Sequence, residues 1–390
     1  MTQNALRSTK AIIDLAAIRS NLNAVRKRLE NGTRVLVVVK GNAYGLGAVN
    51  ISRMLQRSNS ADYLGVAALS EAIELRKAGI SLPILMFTEA FIEECMMLLR
   101  NDITLTVFSF ESAKDLNVVA GASGTTSCIH LKVDTGMGRV GCPYEEAADI
   151  AARIKRELKY TNLEGIYTHL SVADEPEDGD NRQYTEEQIL KLARLKKKLT
   201  ENKVRVPILH CANTGAVLNF PSSRFDMVRV GISAYGCHPS PQGERLPLKG
   251  VLTLKSKVIY VKRIPAGTCI SYGREYVTEK ETTIATIPIG YGDGYPRALS
   301  GKGVVAIDGR TYPIAGRVCM DMIMVDVGDH EVKVDDEVVL IGTGDNDELS
   351  LEGIAEKVGT IPYEILTRIS SRVPRVHIGE EGIDLAEDSP

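Results

Sequence analysis

Little in this sequence leans toward one sign of charge. Its 47 basic and 50 acidic residues leave a net charge of −3, which gives nucleic acid and anionic membranes no electrostatic footing. No apolar run is long enough to span a bilayer. The opening MTQNALRSTKAIIDL lacks the long apolar core of a secretory signal, so export is not expected. The seven cysteines, at 95, 128, 142, 211, 237, 269 and 319, are odd in number, scattered and form no CxxC pair. Reduced thiols in the cytoplasm fit them better than a disulfide framework or a zinc site, and no metal is expected. Internal repeats are also missing. What remains is an ordinary globular composition over 390 residues, a length natural for two domains.

Apolar strand-like runs alternate with helical patterns through the first 235 or so residues. Strands are expected at 35–39, 63–67, 83–87, 103–107, 129–133, 163–168, 206–210 and 225–230. Helices are expected at 12–29, 70–78, 91–99, 111–119, 144–158 and 186–199. Eight short buried strands with helices between them predict a closed (β/α)8 barrel whose chemistry lies at the carboxyl ends of the strands. A doubly wound open sheet is the alternative. Beyond residue 248 the texture changes. Strand-like segments at 251–262, 282–289, 304–307, 322–327 and 337–341, separated by Gly, Asp and Pro, predict a mainly β second domain with one helix at 350–358. The break falls in the Pro- and Gly-rich stretch 238–250, giving domains at 11–245 and 246–390, with residues 1–10 packing against the second. The acidic stretch 174–180 reads as a solvated surface loop.

The chain is organised around RVLVVVKGNAYGLG, residues 34–47. Its apolar run ends on Lys40, followed at once by a glycine-rich turn. An ammonium at the end of a buried barrel strand is partly desolvated, which lowers its pKa and makes the amine usable as nucleophile or base. Alone, such a lysine is more often a solvated strand end. Four other strand ends carry chemistry beside it: KVDTGMGRVG with Lys132 and Arg139, Tyr167-Thr168-His169, His210-Cys-Ala-Asn213-Thr214, and Met227-Val-Arg229-Val-Gly231-Ile232.

The wording of these segments resembles the alanine racemases, whose cofactor-lysine segment usually reads VKANAYGHG. Gly41 and Leu46 depart from it, but neither changes the lysine or the tyrosine. The resemblance implies pyridoxal 5'-phosphate (PLP) as cofactor, with Lys40 as its attachment point and one of two acid–base groups. Tyr44, Thr214 and the backbone at Gly231 and Ile232 would hold its phosphate, and Asn213 would brace that loop. Arg229 would face the pyridine nitrogen, with His169 behind it. A guanidinium does not hand over its proton, so the ring stays a weak electron sink and a carbanion is reprotonated rather than drained into transamination. Arg139 would meet the phenolic oxygen and the substrate carboxylate, oriented by Lys132, which members often carry as a carbamate.

Segments of the second half continue the resemblance. Ser271-Tyr272-Gly273-Arg274 is similar to the family's SYG segment, making Tyr272 the second acid–base group, on the opposite face of the cofactor. A tyrosine hydroxyl needs cationic neighbours or hydrogen bonds to serve as a base. The stretch from Gly290 through Tyr291, Asp293 and Tyr295 resembles GYADG. Gly316 to Asp321 resembles GRVCMD, implying substrate contacts from Tyr291, Met320 and Asp321. Tyr363 matches a tyrosine that lines the site near the phosphate and screens substrate size. The match covers about 12–376. It implies a homodimer with Tyr272, Tyr291 and Met320 supplied by the partner subunit, alanine as substrate, and D-alanine for peptidoglycan as product. Alternatives are a non-catalytic PLP homeostasis protein, which would resemble the barrel half alone, and side activity on serine. A fold-related decarboxylase of basic amino acids would carry an acid where Arg229 stands.

Overall fold

Eight strands, Arg34–Val38, Tyr63–Val66, Ile84–Met86, Ile103–Val107, Ser127–Asp134, Thr161–Tyr167, Ile208–His210 and Met227–Val230, lie side by side in chain order and all parallel, and the last pairs back onto the first. The computed structural model describes residues 7–342, 344 and 346–380; the expected packing of residues 1–6, and the end of the second domain at 381–390, lie outside the described residues. The strands are buried on both faces, as in Ile103–Val107 where every residue is buried. That is why they read as continuous apolar runs rather than alternations. The ring is nearly closed rather than closed. Between Ile208–His210 and Met227–Val230 the described residues form no ladder, and the gap is bridged by Asp226 N–H to Leu209 O at 3.0 Å and Arg229 N–H to Ala212 O at 2.9 Å.

The helix expected from residue 12 begins at Leu15 and runs to Arg26. Residues Lys10–Asp14 form a strand instead, with Ala11 and Ile13 buried in alternation. Asp14 marks the switch: its carboxylate accepts the Ala17 N–H at 3.0 Å and caps the helix. This opening strand lies in the second half's larger sheet, antiparallel to Leu252–Lys257 and parallel to Arg375–Ile378. The rest of that sheet is Glu337–Ile341, Val304–Ile307 and Arg310–Pro313. The single run expected at 251–262 divides between two sheets, since Tyr260–Ile264 pairs with Thr282–Ile287, which pairs in turn with Ile323–Gly328.

Two more readings change. The acidic stretch is not simply a loop, because helix Gly179–Glu201 starts inside it and Asp178 caps that helix by accepting the Asn181 N–H at 3.0 Å. Helix Ala48–Arg57, unassigned in the sequence reading, follows the Lys40 turn directly.

Candidate active site

Lys40 stands two residues past the first barrel strand, and the backbone then turns left-handed. Gly41, Asn42, Ala43 and Tyr44 have φ of 62°, 53°, 51° and 57°. Each left-handed residue with a Cβ costs roughly 1–2 kcal/mol, and three of these four carry one, so the turn must be held from outside. Glu71 Oε1 accepts the Gly41 N–H at 2.6 Å, and Asn42 Oδ1 accepts the Ala48 N–H at 2.6 Å. From the second half, Arg375 Nε donates to Gly45 O at 2.9 Å and His377 Nε2 donates to Leu46 O at 2.8 Å. The turn places Lys40 and Tyr44 on the wall of one cavity of about 740 Å³ at the carboxyl ends of the barrel strands.

Strand Met227–Val230 delivers Arg229 to this cavity, buried. Its Nη1 donates to His210 Nδ1 at 3.0 Å; its Nη2 donates to Thr168 O and Cys211 O, both at 2.9 Å, and to His169 Nδ1 at 3.1 Å. A guanidinium only donates, so both facing imidazole nitrogens are unprotonated. Burial first, then Arg229, holds His169 and His210 well below the ordinary histidine range.

The long strand Ser127–Asp134 brings Lys132 to the cavity, and the turn after it brings Arg139. Asp134 shapes that turn by accepting the Gly136 N–H at 2.9 Å and the Gly138 N–H at 3.0 Å. Lys132 Nζ lies 5.6 Å from the centre of the Tyr167 ring. Burial, then Arg139 and Arg229, pull its pKa down to about 8. Burial and Arg139 also lower Lys40, with Glu71 opposing. Both lysines thus have more neutral amine near neutrality than an exposed lysine.

Opposite them, Thr214 Oγ1 accepts the Gly231 N–H at 3.0 Å, which leaves the hydroxyl proton for a ligand. Asn213 braces this corner, with Oδ1 accepting the Ala216 N–H at 3.0 Å and Nδ2 donating to Leu170 O at 3.1 Å. A Cβ at Gly231 would come within 2.6 Å of the Tyr44 hydroxyl, so glycine keeps a cradle open there. The Tyr363 ring packs 5.6 Å from that of Tyr44.

Lys40, Tyr44, Lys132, Arg139, His169, Asn213, Thr214, Arg229, Gly231 and Tyr363 therefore line one cavity. Ile232 is buried one residue beyond its wall. Tyr272, Tyr291, Met320 and Asp321 are not among the lining residues. They meet elsewhere. Tyr291 N–H donates to Cys319 O at 3.0 Å, Gly292 N–H to Met320 O at 2.9 Å, and Ser271 Oγ to Arg317 O at 2.7 Å. The resulting patch is outward-facing, with Tyr272 70% and Met320 53% exposed. Asp321 pairs there with Arg372 at 2.8 Å.

Sequence reasoning missed Glu71 and Asp174, both on the cavity wall. Glu71 was legible as an acid in the first turn of helix Leu69–Lys77, where its Oε2 accepts the Ala67 N–H at 2.7 Å. Asp174 was hidden in the acidic stretch, and burial raises its pKa.

A barrel with cationic strand ends around a strand-end lysine, joined to a β domain, defines a two-domain barrel enzyme of amine chemistry. The chain belongs to the alanine racemase family: the model of the alanine racemase N-terminal domain matches residues 13–239 and that of the C-terminal domain residues 251–377. It is similar to the alanine racemase of Desulforamulus reducens, 43% identical over 95% of this chain and 98% of that one. Among solved structures it is similar to alanine racemase of Clostridium difficile 630, with a TM-score of 0.89 and 40% identity over 95% and 96% of the two chains. A Bacillus anthracis alanine racemase with bound L-Ala-P gives a TM-score of 0.85 and 36% identity over 96% of each chain. Because both halves match, the barrel-only PLP carrier is not favoured. Among the described residues no helix is long and apolar enough to cross a membrane.

Proposed function

We propose that this protein interconverts L- and D-alanine using PLP held in the strand-end cavity. One observation carries the reading: a lysine of lowered pKa shares one cavity wall with a buried, hydrogen-bonded arginine and a glycine-kept cradle. The residues fit the group. Tyr44, Thr214 and the backbone at Gly231 and Ile232 suit a phosphate; Arg229 suits a ring nitrogen that stays unprotonated; Arg139 suits a carboxylate or phenolate. Held by these residues, PLP would supply the electron sink that makes an amino acid's α-proton acidic.

Lys40 holds or moves that proton on one face, and its lowered pKa keeps part of it neutral and ready to accept. Tyr272 does so on the other. Since Tyr272 lies on an outward patch of its own chain, the reading assigns it, with Tyr291, Met320 and Asp321, to the cavity of a partner subunit in a homodimer. Lys132 with a pKa near 8 is nucleophilic enough to add CO2, losing a proton to form a carbamate. That anion orients Arg139. The seven free thiols suit the cytoplasm, and the D-alanine supplies peptidoglycan. The experiment is absorbance of the purified protein with PLP followed by chiral analysis after adding L-alanine. A visible band lost in Lys40→Ala, together with D-alanine formation, supports the reading; a band without D-alanine in the unaltered protein would sink it.

A further inference from the structure

A run of polar groups continues away from Arg229 through the barrel interior, from two buried histidines to the half-buried Glu164. His210 Nε2 lies 3.0 Å from His130 Nδ1, His130 Nε2 lies 3.3 Å from Glu164 Oε2, and Tyr63 OH donates to Glu164 Oε1 at 3.1 Å. His130 and His210 are fully buried. The fold makes room for this run: a Cβ at Gly165 would come within 2.5 Å of the His130 ring. The Tyr167 ring stacks on His210 at 4.7 Å and 10°.

The two ends of the run fix its direction. Arg229 can only donate, so His210 Nδ1 accepts and its proton sits on Nε2. That proton points at His130 Nδ1, which accepts, leaving the His130 proton on Nε2, aimed at Glu164. An ionised carboxylate can only accept, so the far end demands the same polarity as the near end. The charge states agree. Burial lowers both histidines and keeps them neutral, while the hydrogen bond from His130 lowers Glu164 and keeps it ionised. The His130–Glu164 contact is therefore a neutral-donor hydrogen bond rather than an ion pair.

We propose that Glu164 and His130 are positioning residues for Arg229, acting through His210 to fix the direction of the hydrogen bonds that present its guanidinium to the cavity. Reversing the chain would turn the His210 Nδ1 proton toward a guanidinium proton and push Arg229 off its seat. The negative end at Glu164 also polarises both imidazoles and strengthens His210 as an acceptor. The role assigned to Arg229 rests on the proposed racemase reading; the orientation of the chain does not.

The test uses the full-length protein with PLP, labelled with 15N at histidine, and its Glu164→Gln variant, whose side-chain amide can donate as well as accept. The unaltered protein should show His130 and His210 neutral with the proton on Nε2. In Glu164→Gln both should populate the second tautomer, and kcat should fall about tenfold, the rate equivalent of one weakened hydrogen bond to a charged group, with KM for alanine nearly unchanged. A proton on Nδ1 of either histidine in the unaltered protein overturns the proposal, and that measurement decides even if the variant does not fold. A variant that only melts earlier, with tautomers and kcat unchanged, also overturns it. If the unaltered protein fails to racemise alanine, the proposed function falls while the tautomers still decide the chain's direction.

Discussion

Adding one methyl group at Gly45 tests how the lysine turn is held. Gly45 has φ +84°, and a Cβ there would sit 2.7 Å from Leu366 O, 3.5 Å from Leu366 C and 3.6 Å from Thr367 Cα. All three are backbone atoms of helix Pro362–Arg368, so nothing flexible can swing aside. Gly41, four residues earlier, has φ +62°, and a Cβ there would meet nothing within 4 Å. The left-handed backbone costs either alanine roughly 1–2 kcal/mol, and only Gly45→Ala adds an overpacking cost of roughly 1–3 kcal/mol. Urea unfolding should therefore show Gly41→Ala losing about 1–2 kcal/mol and Gly45→Ala about 2–5 kcal/mol. Strain at Gly45 reaches the carbonyl that Arg375 holds, and so the placement of Lys40 and Tyr44. If about 1.4 kcal/mol of it reaches the bound state, half-saturation by PLP rises about tenfold. Equal losses in the two variants would refute the reasoning, because the turn would then be free to relax away from the helix.

In CO2-free buffer, stability should rise from about pH 8 to 10.5, the window between the folded and ordinary values of Lys132. There the unfolded chain binds more protons than the folded one. Urea midpoints should show this rise shrinking in Lys132→Met and with added bicarbonate, since a carbamate does not titrate there; a fall with pH specific to Lys132 would refute it. Asp293→Asn breaks a contact of a buried carboxylate with Arg7 at 2.6 Å, beside a Gly290 N–H at 3.0 Å. About 2–4 kcal/mol should be lost on thermal or urea unfolding, and a loss below about 1 kcal/mol would mean that Arg7 holds nothing there. Mixing unfolded Lys40→Ala and Tyr272→Phe chains and refolding them should restore about a quarter of full activity if sites are shared, because each hybrid dimer then has one intact site. No recovery would place both residues in one chain's site.

The barrel was legible because parallel strands buried on both faces leave unbroken apolar runs, and all eight strands fall where those runs are. The opening strand was not. Ala11 and Ile13 offer only two buried positions, too few to show an alternation, and Ile13 fits the helical pattern from residue 12 as well; the Asp14 cap was the signal against it. Within the site, Lys40 and Arg229 were legible as charges at strand ends, and Arg139 as a charge just past a glycine turn. His130 and Glu164 were not, since their roles depend on a chain of contacts between different strands that no local spacing encodes. Asp174 failed for the opposite reason, as its neighbours Glu175, Glu177 and Asp178 are exposed and mask one half-buried member.

Cations outweigh free carboxylates on the cavity wall, and this ties the chemistry of its two lysines together. Lys40, Lys132, Arg139 and Arg229 line it with Glu71, Asp174 and Glu364. Glu71 is engaged by the amides of Gly41 and Ala67, and Glu364 by Arg368 at 3.0 Å. Burial already raises Asp174, so it contributes less negative charge than a solvated carboxylate. Lys40 is among the groups that lower Lys132, and by reciprocity a charge change at Lys132 acts on Lys40. Turning Lys132 into a carbamate replaces a partial positive charge with a negative one. The proton affinity of Lys40 must then rise, and the carbamate draws Arg139, the charge that most lowers Lys40 after burial, into a pair. Lys132, on the same cavity wall, would in this way set how much of Lys40 is free to take a proton at a given pH.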